Sequence, residues 1–192
     1  MPRSTPTRAE LEAARGGSVA DLIATGLSVL FCGINPSLYS VAVQHHFARP
    51  GNRFWRALHG AGFSERLLRP DEERELLRSG IGITNLASRG TARADELRLE
   101  EYDAGALVLA SKLERYRPRY VAFLGVQAYR FAFKAPRAQV GPQSQQLANC
   151  DVWVLPNPSG LNAHYRIDGL IREYELLARA VGQRGARPRR AP

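Results

Sequence analysis

The sequence predicts an α/β fold in which helices cover both faces of a central, mainly parallel sheet. Short apolar runs of strand length alternate along the chain with helical patterns, as in βαβ units. The first run, Val29–Cys32, is continuously apolar, which is typical of a strand buried on both faces. The 192 residues are enough for one domain with a sizeable core, and the apolar fraction of 44% is that of a globular protein.

Composition divides the chain into three parts. Residues 1–17 are rich in Pro, Thr, Arg and Ala and predict a flexible arm with one helical turn around Ala9–Arg15. Residues 18–181 predict a single domain, because no linker or internal repeat interrupts them. Residues 182–192 carry four arginines and no acid, which predicts a basic, disordered tail.

Four apolar runs predict the strands of the sheet. Each contains β-branched or aromatic residues, and a turn signal or a polar loop follows it. The runs are Ser28–Cys32, Gly80–Leu86, Tyr120–Leu124 and Val152–Leu155. The segment from Ala135 to Leu147 is predicted as a loop with one weak strand.

Helical patterns occupy most of the segments between the strands. Asn52 is a favourable N-cap, and Pro70 opens a helix whose first turn is acidic. Leu109, Leu113 and Tyr116 form the buried stripe of the longest helix. The predicted helices are Val19–Ala24, Arg53–Gly60, Glu72–Arg78, Glu100–Tyr116, Gly125–Phe133 and Asp168–Val181.

The formal charge of +9 and the isoelectric point near 10.2 favour a polyanionic partner, of which nucleic acid is the commonest. No run approaches the roughly 18 apolar residues of a membrane span. The first 17 residues also lack the apolar core of a signal peptide. We therefore expect a cytoplasmic, nucleoid-associated protein that does not contact membranes.

The metal-binding residue types are too few and too scattered to predict a metal site. Cys32 and Cys150 are the only cysteines and cannot form a four-cysteine metal or iron–sulfur centre. His45 and His46 are adjacent, so their side chains diverge, and no further ligand cluster stands nearby. The prediction is that the protein uses no metal and no cofactor.

Two predicted strands end in similar polar motifs, Gly33–Pro36 and Pro156–Gly160. Because the carboxyl ends of parallel strands meet at one edge of a sheet, where ligands bind in open α/β folds, we expect both motifs to line one cleft. The predicted loops Ser37–Gly51 and Arg89–Asp95 open onto the same edge, and loops as long as the first are usually functional. Taken alone, Asn35 fits plain turn chemistry better than a role in a site. The other loops at this edge favour the interpretation that Asn35 belongs to a binding site.

Six blocks of the chain resemble the mismatch-specific uracil-DNA glycosylases, the branch that contains the thymine/uracil mismatch glycosylases. The blocks keep their order from about Ser28 to Val181. They are Gly33–Leu38, Phe47–Trp55, Ala61–Phe63, Gly82–Leu86, Leu124–Tyr129 and Val152–Leu161. The resemblance implies a three-layer α/β/α sandwich with a central, mainly parallel sheet, in agreement with the fold predicted above.

The resemblance also implies roles for residues around the first motif. A base inside a duplex must be flipped out before its glycosidic bond can be cleaved. Asn35 matches the family asparagine that positions the attacking water, and Phe47 matches the ring that stacks on the flipped base. Gly33 and Ile34 belong to the substrate-binding motif, with the backbone amides of Ile34 and Phe47 holding the uracil edge. Ser40 lies where the family lines the 5-position of the pyrimidine.

The second motif matches the family's intercalation loop. Leu161 would fill the gap left by the flipped base, and the backbone around Gly160 would meet the orphaned guanine. Without the resemblance, we would interpret Leu161 as a residue that packs against the start of the last helix. The predicted DNA-contacting residues are Asn157, Ser159, Gly160, Leu161 and Asn162.

Three positions depart from the family pattern. Ser37 replaces the usual second glycine of the first motif, which predicts a stiffer or tighter loop. His164 follows the wedge position in a segment where close relatives can carry an arginine, and we interpret it as a surface residue. Asp95 is a carboxylate on the cleft edge, and it could serve as a general base or cap the following helix.

The leading hypothesis is a monofunctional DNA-repair glycosylase that flips and hydrolyses uracil from G:U mismatches and other small pyrimidine lesions. Its partner would be double-stranded DNA with a mismatched or damaged pyrimidine, with single-stranded DNA as a second partner and the protein as a monomer. The absence of lysine from the four cleft loops argues against Schiff-base strand cleavage. The alternatives are a non-catalytic module that binds damaged or single-stranded DNA, and a small-molecule α/β enzyme.

Overall fold

A computed structural model describes residues 5–185, and in this range the chain forms a five-stranded sheet. The strands lie in the order β2-β1-β3-β5-β4. Neighbouring strands are parallel, except that β4 is antiparallel to β5. The strands are β1 Val29–Gly33, β2 Ile81–Asn85, β3 Tyr120–Leu124, β4 Gly141–Leu147 and β5 Cys150–Leu155.

Helices cover both faces of this sheet. The α-helices are α1 Arg8–Ala13, α2 Leu38–Val43, α3 Phe54–Gly60, α4 Leu99–Tyr116, α5 Val126–Phe133 and α6 Ile167–Gly185. Two 3₁₀ segments span Pro70–Ser79 and Ala94–Glu96. The predicted α/β/α sandwich with a mainly parallel sheet is therefore confirmed.

Alternate residues of each central strand face two separate apolar layers. Phe31 of β1 packs in the layer formed with α3 and α6, whereas Leu30 and Cys32 face the layer formed with α4 and α5. Each buried Leu or Phe side chain contributes about 1.5–3 kcal/mol of transfer free energy. The two layers therefore hold the strands firmly, and the strand ends provide a stable base for a site.

Three predicted elements differ from the structure. The segment predicted as the helix Val19–Ala24 is extended, because the backbone of Leu22 pairs with Ile83 of β2 through hydrogen bonds of 2.9 and 2.8 Å. The segment predicted as the helix Glu72–Arg78 lies within the longer 3₁₀ segment. The predicted loop Ser37–Gly51 contains α2, and Ser37 is its N-cap, with Oγ accepting from the Ser40 amide at 3.1 Å.

The chain ends are described in part. Helix α1 lies inside the predicted arm, and Ala14 just after it shares a small apolar cluster with Leu38 and Val41 of α2. At the other end, α6 continues to Gly185, so the first residues of the predicted tail are helical. The rest of that tail, residues 186–192, lies outside the described residues, as do residues 1–4. The division into arm, domain and tail stays a prediction. No helix among the described residues has the length and apolar character needed to cross a membrane.

Candidate active site

The site begins at the end of β1, where Gly33 leaves room for two side chains from other elements. A Cβ atom at this position would lie 2.5 Å from Oδ1 of Asn85 and 3.3 Å from Cζ of Phe47. Both distances are shorter than ordinary van der Waals contact. Glycine is therefore required here so that the end of β2 and the Phe47 loop can close against β1.

Asn35 is held in one orientation by two acceptors on the loop after β2. Its Nδ2 atom donates to the carbonyl of Arg89 at 2.8 Å and to Oγ1 of Thr91 at 2.7 Å. The Thr91 hydroxyl in turn donates to the carbonyl of Arg93 at 2.7 Å. Because both N–H groups of the amide are engaged, Oδ1 is the atom that Asn35 can offer to a ligand or a water.

An ion pair anchors the loop that orients Asn35. Nε and Nη2 of Arg89 donate to the two carboxylate oxygens of Glu101 on α4 at 2.7 and 2.8 Å. Arg89 lowers the pKa of Glu101 to about 2, so the carboxylate stays charged at neutral pH. The carbonyl that binds Asn35 therefore belongs to a residue whose side chain is fixed to α4.

Phe47 supplies an aromatic face beside Asn35. Its ring stacks on Phe54 with the centroids 4.1 Å apart and the planes 28° apart. Its backbone adopts the left-handed region at φ 52°, which is uncommon for a bulky residue. Uncommon backbone conformations cluster at functional sites, and this one presents the ring on the strand edge.

Two buried polar residues support the Phe47 loop. Oγ of Ser40 accepts from the Ala48 amide at 3.2 Å, and the Ser37 hydroxyl lies 3.1 Å from it. Nε2 of His46 lies 3.0 Å from the carbonyl of Ala20, to which the neutral ring can donate. Burial lowers the pKa of His46, so the ring is neutral at pH 7. Ser40 and His46 thus fix the loop by hydrogen bonds, to which the His46 amide adds one to the Glu73 carboxylate at 2.8 Å.

These residues enclose a cavity of about 110 Å³ at the carboxyl edge of the sheet. Its lining includes Gly33, Ile34, Asn35, Ser40, Phe47, Asn85, Thr91, Asn157, Ser159 and Leu161. The two strand-end motifs therefore meet at one site, as the topology predicted. The cavity combines one aromatic face with several amide and hydroxyl groups, which suits a small, planar, polar ring.

Leu161 stands on the rim of this cavity in the loop between β5 and α6. It is 65% exposed although it also lines the cavity. Hydrogen bonds from the Ser159 amide to Asn157 Oδ1 and from Asn162 Nδ2 to the Asn157 carbonyl, both 2.9 Å long, shape the loop beneath it. Gly160 lies at the loop tip, against the backbone of Gly51. The alternative that Leu161 packs the last helix does not fit this exposure.

Asp95 lies beside the Asn35 cavity and not in its wall. It is absent from the lining residues of that cavity, and its side chain is exposed and paired with Arg93 at 2.7 Å. The hydrogen bond from Arg93 lowers the pKa of the Asp95 carboxyl, which weakens it as a base. Asp95 instead lines a neighbouring cleft that shares Ile34 and Leu161 with the Asn35 cavity, and a catalytic role for Asp95 stays a prediction from the sequence alone.

Sequence reasoning missed three residues at the site. Asn85 closes β2 inside the cavity with 8% exposure, and Thr91 orients Asn35. Arg53 binds the loop that carries Leu161. A polar residue at the end of a buried strand was a usable signal for Asn85, whereas nothing local in the sequence links Thr91 to Asn35 or Arg53 to the distant loop.

The strand edge of this mainly parallel sheet thus carries an oriented amide, a stacking ring and an apolar side chain on the rim. The pattern of the Uracil DNA glycosylase superfamily matches residues 20–178, and the chain belongs to that superfamily. The family resemblance seen in the sequence is thus confirmed at the level of the superfamily. This membership supports a uracil-excising glycosylase in general terms.

The fold is also similar to a solved structure. The solution NMR structure of a Methanosarcina acetivorans protein, described provisionally as a uracil DNA glycosylase, superposes with a TM-score of 0.61. The two sequences are 19% identical, and the match covers 87% of this chain and 98% of the other. At this identity the similarity concerns the fold.

Proposed function

We propose that this protein is a monofunctional, mismatch-specific uracil-DNA glycosylase that hydrolyses uracil from G:U mismatches in double-stranded DNA. Other small pyrimidine lesions and uracil in single-stranded DNA are further substrates in this proposal. The enzyme acts as a monomer and without a cofactor, inside the cell where its DNA substrate lies.

The orientation of Asn35 is the observation that carries this proposal. Because Nδ2 is engaged by Arg89 and Thr91, Oδ1 is left to accept a hydrogen bond from a water molecule. That water attacks C1′ of the deoxyuridine as the bond from C1′ to N1 breaks, and the bond's electron pair leaves with the base. A proton of the water passes to solvent. A neutral amide orients water without removing its proton, so we expect slow turnover.

The rest of the cavity supports binding of a flipped uracil. Phe47 offers a face for stacking, which is worth roughly 1–3 kcal/mol per base. The backbone amides of Ile34 and Phe47 and the side chain of Asn85 are donors for the uracil carbonyls, where negative charge develops as the base leaves. Ser40 lies in the cavity wall and would face the 5-position, where thymine carries its methyl group.

The positions of the two lysines support a monofunctional mechanism. Strand cleavage through a Schiff base needs an amine next to C1′. Nζ of Lys112, a residue of α4, lies 2.6 Å from Asp21, and Lys134 pairs with Asp103. Neither lysine lines the Asn35 cavity. We therefore expect an intact abasic strand as the product.

Single-turnover excision is the direct test of this function. We expect the wild-type protein to release uracil from G:U duplex, and Asn35→Ala to lower that rate by about a hundredfold, because the attacking water loses its positioning. Duplexes with A:U and G:T and single-stranded uracil DNA would rank the substrates. Wild-type inactivity on all four would refute the proposal.

A non-catalytic module that binds damaged or single-stranded DNA is the second candidate function. The exposed Leu161 on the cavity rim is the observation that favours it, because a wedge serves recognition as well as excision. Tight binding of uracil-containing DNA by the wild-type protein, together with no release of free uracil, would decide for this candidate.

A further inference from the structure

A single side chain, that of Arg53, holds the loop that carries Leu161. Its Nε donates to the carbonyl of Pro158 at 3.3 Å, and its Nη2 donates to the carbonyls of Ser159 and Asn162 at 2.5 and 3.0 Å. Its Nη1 donates to the carbonyl of Tyr165. The Arg53 amide adds a bond of 3.0 Å to the Pro158 carbonyl. The loop carbonyls on both sides of Leu161 thus converge on one guanidinium group.

All side-chain hydrogen bonds that Arg53 donates within the described part of the chain go to this loop. Among the described residues, Arg53 forms no ion pair with a carboxylate. Its charge is balanced there by the carbonyl dipoles of a segment without regular secondary structure. A lysine has three donors on one atom and cannot reproduce the planar fork that reaches four separate carbonyls.

The same short segment also supports the stacking ring. Arg53 directly precedes Phe54, on which Phe47 stacks. The segment touches the loop a second time, since a Cβ atom on Gly160 would lie 2.7 Å from the carbonyl of Gly51. The start of α3 therefore connects the surface for the flipped base with the side chain that would replace it in the duplex.

We propose that Arg53 is a positioning residue that preorganises the Leu161 loop for insertion into the duplex, so that it promotes base flipping and not the hydrolysis itself. This inference rests on the proposed glycosylase function. A loop that is ordered before binding avoids the entropy loss of ordering during binding. Single-stranded uracil needs no wedge, because it has no stack to open.

The test compares two substrates in single-turnover excision. We expect Arg53→Lys to slow excision from G:U duplex by at least about tenfold, because a less ordered loop inserts Leu161 less readily into the opened stack. Excision from single-stranded uracil DNA should change by less than about twofold, since it bypasses this step. Arg56→Lys, exposed on the same helix, is the matched control and should leave both rates unchanged. An equal slowing on both substrates, or no slowing on duplex, would overturn the proposal.

A double-mutant cycle tests whether Arg53 acts through Leu161. Leu161→Ala alone should slow duplex excision, and Arg53→Lys should then add little, because neighbours that share one function are not additive. Fully additive losses would contradict action through the wedge. If Arg53→Lys does not fold, as judged by thermal melting, Arg53→Gln takes its place in the same cycle.

Amide hydrogen exchange separates this inference from the proposed function. In the DNA-free protein, Arg53→Lys should speed exchange of the amides of residues 159–166, whereas Arg56→Lys should not. If the wild-type protein excises no uracil, the glycosylase proposal fails and the exchange result still judges the loop. Unchanged exchange in Arg53→Lys would overturn the positioning role in either case.

Discussion

At the scale of single residues, the site depends on groups whose hydrogen bonds or available space are fully taken up by neighbouring residues. Asn35 uses both N–H groups on the loop after β2, which leaves one defined acceptor for a water. Gly33 has no side chain because Asn85 and Phe47 occupy the space. The contacts that require Asn35 and Gly33 at these positions come from elements that are distant in the sequence.

Asp95 provides the sharpest prediction at this scale. Because its carboxylate is exposed and paired with Arg93, outside the Asn35 cavity, we expect Asp95→Asn to keep single-turnover excision within about threefold of wild type, whereas loss of a true general base costs about 10²–10⁴-fold. The measurement is the rate on G:U duplex at saturating enzyme. A loss of a hundredfold or more would restore Asp95 as the base.

At the scale of elements, the loop after β2 is the segment that positions Asn35. It is attached to α4 by the ion pair between Arg89 and Glu101, and to the first motif by the hydrogen bond from the Thr91 amide to the Pro36 carbonyl at 3.2 Å. Thr91 is 2% exposed, so its hydroxyl has no alternative partner in bulk water. The position of this loop therefore fixes the orientation of the Asn35 side chain.

Thr91→Val tests this arrangement. Valine has nearly the same shape but removes the hydroxyl that accepts from Asn35 and donates to Arg93, so Asn35 should lose its orientation. We expect kcat to fall by roughly ten- to a hundredfold, as small misplacements of catalytic groups do, with KM nearly unchanged. Thr91→Ser keeps the hydroxyl and should restore most of the rate. A Thr91→Val enzyme with wild-type kcat would show that the hydroxyl does not act through Asn35.

At the scale of the whole molecule, the parallel sheet collects four separate loops at one edge. The strand order places β1 inside the sheet, between β2 and β3, with β5 on the far side of β3. The ends of β1, β2, β3 and β5 therefore open onto the same surface. The net charge of +9 gives this molecule a long-range attraction for a polyanion.

The charge predicts a strong dependence of DNA affinity on salt. If about four phosphates are contacted, the affinity for uracil-containing duplex should fall by roughly a hundredfold between 50 and 200 mM monovalent salt, because bound counterions are released on binding. Fluorescence anisotropy with a labelled duplex measures this slope, with a neutral peptide nucleic acid as the control. Binding that is weak at all salt concentrations would favour the small-molecule alternative.

Much of the fold was predictable because its signals are local. Mostly apolar runs gave all four parallel strands within two residues at either end, since burial on both faces leaves few polar positions in them. The segment around Leu22 was mistaken for a helix because its pairing partner in β2 lies far along the chain. Helix α2 was missed inside a loop because its six residues span fewer than two helical turns, too few to show a periodic pattern.

The sequence by itself determined the sheet, its two apolar layers and the two polar motifs at the strand ends, because apolar patterning and turn residues act over short distances. Tertiary structure alone decided which side chains meet in the cavity. It brought Thr91 to Asn35, left Asp95 on the surface and placed Arg53 under the Leu161 loop. These contacts join segments that are far apart in the chain, and a hydrogen bond between distant residues leaves no periodic trace in either segment.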